Sequence, residues 1–95
     1  MNTQLLTQTV IYISPAKYPT FAHRLCFAMV FRDYTVKKLA DSLFLNPSTI
    51  SGYRHGYRMP DCATLCKIAR ELQVSTDFLL ALNDYFTVVP PQIQE

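Results

Sequence analysis

Between residues 20 and 84 apolar side chains recur at intervals of three and four, and each run starts behind a residue able to cap a helix. Thr20 precedes a first predicted helix over 21–32, with Phe21, Leu25, Ala28 and Met29 inward. After the turn at Asp33 and Tyr34, Thr35 caps a second over 36–44, with Val36, Leu39, Ala40 and Leu43 inward. Asn46 caps a third over 47–55, where Pro47 sits at N1 without wasting a donor and Gly56 ends the helix. Asp61 caps a fourth over 62–73, with Leu65, Ile68, Ala69 and Leu72 inward. Ser75 caps a fifth over 76–83, with Phe78, Leu79 and Leu82 inward. The flanks break this period. "TQTVIYIS" and "YFTVV" are rich in β-branched and aromatic residues and suit extended arms or strands.

The expected fold is all-α: five short helices over 20–84, an extended N-terminal arm over 1–19 and an extended tail over 85–95, either of which can be β. Ninety-five residues at 49% hydrophobic content suffice for one small domain. No apolar run reaches the ~18 residues a membrane span needs, and the N-terminus lacks a signal-peptide pattern, so a cytoplasmic protein is expected. Cys26, Cys62 and Cys66 are an odd set and suggest reduced thiols.

Charge is uneven along the chain. Residues 1–20 carry +1 from Lys17, and residues 61–95 carry −3 from Lys67 and Arg70 against Asp61, Glu71, Asp77, Asp84 and Glu95. Residues 21–60 carry +4 from Arg24, Arg32, Lys37, Lys38, Arg54 and Arg58 against Asp33 and Asp41. A positive centre suits a polyanionic partner.

The second and third helices are short and joined by the tight turn "FLN", which is the sequence form of a helix-turn-helix. At ~100° per residue, Ile50 and Tyr53 of the third helix face the core, while Ser48, Ser51, Gly52 and His55 fall roughly 100–200° away and face out. A row of small polar residues would then lie outermost.

The span from Phe21 to about Leu82 resembles the Cro/phage-repressor (XRE) helix-turn-helix domain, a lambda-repressor-like fold. The resemblance is carried by Leu39-Ala40, by the rhythm of Ser48, Thr49, Ile50, Ser51, Tyr53, Gly56, Arg58 and Pro60, and by the following "TL-KIA-EL-VS-D-LL". It implies a transcriptional regulator, a repressor in a phage or mobile-element setting, acting as a homodimer on a palindromic double-stranded DNA operator. Base reading is implied for Pro47, Ser48, Thr49, Ser51 and Gly52, and phosphate binding for Thr35, Lys37, Lys38, Asn46, Arg54, His55, Tyr57 and Arg58. Small hydroxyls discriminate bases weakly, so DNA shape would share the readout.

Two positions depart from the family pattern. Val36 stands where a phosphate-clamping glutamine is frequent, and Phe44 stands where the turn often has glycine. Either Phe44 takes a left-handed conformation, at a cost of ~1–2 kcal/mol, or the turn is reshaped. The first helix also carries Cys26, Phe27, Val30 and Phe31 on the side away from its inward stripe. A helix apolar all round must be covered all round. The terminal arms, through Val10, Tyr12, Phe86 and Val88, or a second subunit are expected to pack there on Phe27, Val30 and Phe31.

Other chemistry is thin. Cys62 and Cys66 with His23 or His55 lack a fourth ligand, so they read as core thiols, with a redox switch at Cys26 or Cys62 as the sharper alternative. His55 has no nucleophile or carboxylate spaced to work with it. Arg54 either pairs with an acid such as Asp41 or contacts DNA. The tyrosines 12, 18, 34 and 85 suit packing better than base stacking. Neither an enzyme, a cofactor, a metal nor a small-molecule ligand is expected. The alternative function is an antitoxin or protein-interaction module on the same fold, whose protein partner takes the apolar first helix.

Overall fold

In the computed structural model, which describes residues 9–88, every helix starts at the side chain the sequence marks for it. Helices α1 (Phe21–Phe31), α2 (Val36–Leu43), α3 (Pro47–Arg54), α4 (Cys62–Leu72) and α5 (Thr76–Leu79) are capped by Thr20, Thr35, Asn46, Asp61 and Ser75. Each cap oxygen accepts a first-turn backbone N–H that the helix itself leaves unpaired. At Asp61 the Thr64 N–H also holds the carboxyl below its ordinary range. The first four helices end within a residue or so of the expected positions. The fifth is much shorter than expected, because Ala81 turns left-handed at φ 63° and the N–H of Leu82 returns to the carbonyl of Asp77. Leu82, expected inward, is thereby thrown into solvent.

The core is the set of stripes the periodicity defines. Leu25, Ala28, Leu39, Ala40, Ile50, Ile68, Leu72, Phe78 and Leu79 are buried together, with Tyr53 edge-on to Phe21. Val36 and Leu65 are only partly buried against this cluster.

Strands β1 (Val10–Tyr12) and β2 (Tyr85–Thr87) pair antiparallel, with Ile11 opposite Phe86. The arms therefore meet within one chain. The alternation of side chains drives Phe86 into the core, against Phe27, Phe31 and Phe78 at centroid distances of 5.0, 4.9 and 5.3 Å. Val10 and Tyr12, expected to pack on α1, lie on the opposite face and are exposed, and Tyr12 stacks edge-on to Tyr85. Cover of α1 is partial: Phe27 is half-buried, Phe31 is exposed at its edge and Val30 is 77% exposed. The rest of both arms, 1–8 and 89–95, lies outside the described residues.

Two arginines that add to the positive field do their work inside. Arg24 is 0% exposed, with Nε donating to the carbonyl of Tyr18, Nη1 to those of Phe78 and Asn83, and Nη2 to Asp84 at 2.8 Å. Arg32 donates to the carbonyls of Leu72, Gln73, Thr87 and Val88 and lies over the Phe86 ring, and its burial lowers its pKa. Arg24 thus fastens the entry to α1 to the end of α5, and Arg32 fastens β2 to the end of α4. The sequence carries a signal for the first: Arg24 follows Phe21 by three and precedes Ala28 by four, in phase with the inward stripe.

Phe44 adopts φ 58°, ψ 41° and is 94% exposed, so the strained alternative is the one the turn takes. An exposed side chain returns no packing for that strain. Phe44→Gly is expected to raise stability by about 1 kcal/mol after the entropy that glycine adds to the unfolded chain, read as a higher urea midpoint. A lower midpoint would mean that the Phe44 ring contributes packing in the folded state.

Tyr34, in the turn between α1 and α2, donates to Glu71 of α4 at 2.6 Å. That hydrogen bond, then burial and the Glu71 charge, push its pKa up to about 12. The folded state holds the phenolic proton more tightly than the unfolded chain, whose tyrosines titrate near ~10. The resulting stabilisation is present below pH ~10 and is lost as pH rises through about 12. Absorbance at alkaline pH should show a late phenol that Tyr34→Phe removes, and a titration identical in the two proteins would contradict the bond.

Candidate nucleic-acid interface

The third helix begins in solvent. Asn46, Pro47 and Ser48 are exposed, Thr49 and Ser51 half-buried, and Ile50 and Tyr53 anchor the opposite side in the core. Ala40 of α2 is buried at 0% exposure in the same core as Ile50 and Tyr53 of α3.

The end is also electrically quieter than a bare helix start. Asn46 Oδ1 accepts from both the N–H and the hydroxyl of Ser48, at 3.1 and 3.0 Å, and the N–H of Thr49 returns to the Asn46 carbonyl. Pro47 has no donor to offer. The free N–H groups expected near Asn46 for a phosphate are therefore already partnered, and an anion there would have to displace the Asn46 side chain.

Gly52 is a correction. It was expected on the outward face, close to a ligand, but it is buried beneath the loop that follows α3. Its carbonyl accepts the N–H groups of Tyr57 and Arg58, and a Cβ at Gly52 would lie 3.1 Å from Arg58 Cδ. Helical phase alone misses this, because the covering group comes from the loop. Glycine here lets the Arg58 stem lie across the helix.

The flanking residues form two groups. On α2, Thr35 is exposed with its hydroxyl capping Lys38, Lys37 pairs with Asp41 at 2.7 Å, and Lys38 reaches the Asp33 carbonyl and lies over the Tyr34 ring. Asp41 also raises the Lys37 pKa through that hydrogen bond, so the lysine stays charged. Both lysine contacts are solvent-exposed and weak enough for a phosphate to replace. After α3, His55 stacks on Tyr57 at 5.6 Å and 16°, and both are exposed with Arg58. His55 Nδ1 donates to the Ser51 carbonyl at 2.8 Å, which in the neutral ring leaves Nε2 as an acceptor.

Arg54 stands apart from both. It is half-buried beside α1 and makes no pair with Asp41, which belongs to Lys37. Of the six cations in the positive segment, Arg24 and Arg32 are tied inward and Arg54 faces α1, so Lys37, Lys38 and Arg58 carry the outward field.

Cys62 and Cys66 are exposed rather than core thiols, and among the described residues no group of three or more His, Cys, Asp or Glu is placed to hold a metal. No described helix is long and apolar enough to cross a membrane.

Residues 32–79, which run from the end of α1 to the end of α5, match the family model described as helix-turn-helix. A similar protein is the HTH-type transcriptional regulator ImmR of Bacillus subtilis (strain 168), 39% identical over 51 residues. The aligned segment covers 54% of this chain and 40% of that protein, so the chain spans well under two thirds of its relative's length.

Proposed function

The chain belongs to the Cro/phage-repressor type of helix-turn-helix family, and from that premise we propose that it is a sequence-specific DNA-binding transcriptional regulator. The observation that carries the reading is the exposed N-terminal end of α3, small and hydroxyl-bearing, in a segment whose Lys37, Lys38, His55, Tyr57 and Arg58 are exposed as well. In this account α3 enters the major groove. Pro47, Ser48, Thr49 and Ser51 meet base edges, and Thr35, Lys37, Lys38, Tyr57 and Arg58 hold the backbone. Gly52 serves by letting Arg58 cross the helix rather than by touching a base.

The chain acts as a repressor by occluding a promoter, bound as a homodimer to a palindromic operator whose half-sites lie one helical turn, ~34 Å, apart. Val30, standing in solvent on α1, is one apolar element available to a second copy. Selection of bound duplexes from a random pool tests this. An enriched palindrome with that spacing supports the reading, and a pool without enrichment contradicts it.

A second reading, an antitoxin or protein-interaction module, draws on the exposure of Phe44 and Val30. Co-purification of a different polypeptide, with no enriched DNA, would favour it.

A further inference from the structure

A cleft of about 580 Å³ opens between α1 and the C-terminal end of α3. Its volume falls in the range of sites that enclose small molecules, ~300–1,000 Å³. Tyr18, Ala22, Phe27 and Val30 supply an apolar wall, and Arg54 is the one permanent cation on it. The α1 part of that wall lies on the side of the helix that the β1–β2 sheet covers only in part.

Arg54 is held there by its backbone, and its guanidinium has no hydrogen-bond partner among the described residues. Its carbonyl accepts the thiol of Cys26 at 3.7 Å, which ties this end of α3 to α1. Its Nε is buried with no hydrogen-bond partner, and no other described side-chain N or O atom is in that position. The ion pairs among the described residues are Arg24 with Asp84 and Lys37 with Asp41, so no described carboxylate neutralises it. The two Nη groups, which unlike Nε are open to solvent, can present parallel N–H bonds to a planar anion beside the apolar wall.

We propose that this cleft binds a small carboxylate with an apolar body, its carboxylate on Arg54 and its ring or chain on Tyr18, Ala22, Phe27 and Val30. Charge complementarity selects this occupant over an apolar side chain from a second copy, which would leave Arg54 unanswered. The site does not depend on the reading of α3 as a DNA-binding element, and it departs from the sequence expectation of no small-molecule ligand.

Calorimetric titration of the full chain with phenylacetate, 4-phenylbutyrate and octanoate, each beside its neutral amide, tests the site. At least one acid should bind saturably and at least tenfold more tightly than its amide. Arg54→Met should remove that preference, and Ala22→Leu, which fills the wall and leaves the charge, should weaken the acid at least tenfold. If Arg54→Met fails to fold, the acid-to-amide ratio and Ala22→Leu still decide. No saturable acid, equal affinity for acid and amide, or a preference that survives in folded Arg54→Met would overturn the proposal.

Discussion

Replacing Arg24 with methionine is expected to lower folding stability by about 3–5 kcal/mol, the range seen when one member of a buried ion pair is removed. The side chain is 0% exposed, and it satisfies three backbone carbonyls and the Asp84 carboxylate at once. Methionine fills much of the volume and keeps the contact with the Phe78 ring, over which the guanidinium now lies at 4.9 Å. What it cannot keep is the set of donors. Against a total stability of ~5–15 kcal/mol, the loss is a large fraction, and for a domain of this size it should lower the melting temperature by well over ~10 °C. Asp84→Asn retains an acceptor and should cost clearly less. Urea unfolding of the three proteins checks the order, and an Arg24→Met midpoint close to the parent would show that the carbonyls find other partners.

Ser48→Glu is expected to separate binding from folding. Ser48 is exposed in the first turn of α3, where a carboxylate favours the helix by ~0.3–1 kcal/mol through the macrodipole. The variant should therefore melt at or slightly above the parent temperature. Against DNA the same charge points at phosphates and at the acceptor-rich major-groove edge, and we expect at least a ~100-fold loss of affinity, roughly 2.7 kcal/mol. Competitive binding to the selected operator, beside a melting curve, measures both. Parent-like affinity in a folded Ser48→Glu protein would remove α3 from the interface.

The helix starts were legible because caps act over two or three residues: Thr20, Thr35, Asn46, Asp61 and Ser75 each do what their position predicts. Core stripes were legible because 3.6-residue periodicity is a property of a single element. Long-range closure was not. The partners of Arg24 on α5 and beyond lie 54–60 residues away, so the inward phase of that arginine does not name them. The end of α5 depends on a left-handed Ala81, for which alanine carries no signal. Gly52 shows the same limit at the site: its phase points outward on an isolated helix, but the Tyr57–Arg58 loop folds back over it. The side of α1 that needed cover was readable, whereas which residues of the arms supply it rests on strand register. A one-residue shift would have exchanged Phe86 for Tyr85 or Thr87.

On the proposed function, the exposed end of α3 and its basic flanks form the surface that meets DNA. Mapping backbone amide shifts of the labelled protein as a generic 20-base-pair duplex is added at low salt tests it most directly. Shifts confined to residues 35–38 and 46–58, fading as salt is raised, are the expected result. Shifts centred on the β1–β2 sheet or the Val30 side of α1, with α3 unmoved, would contradict it.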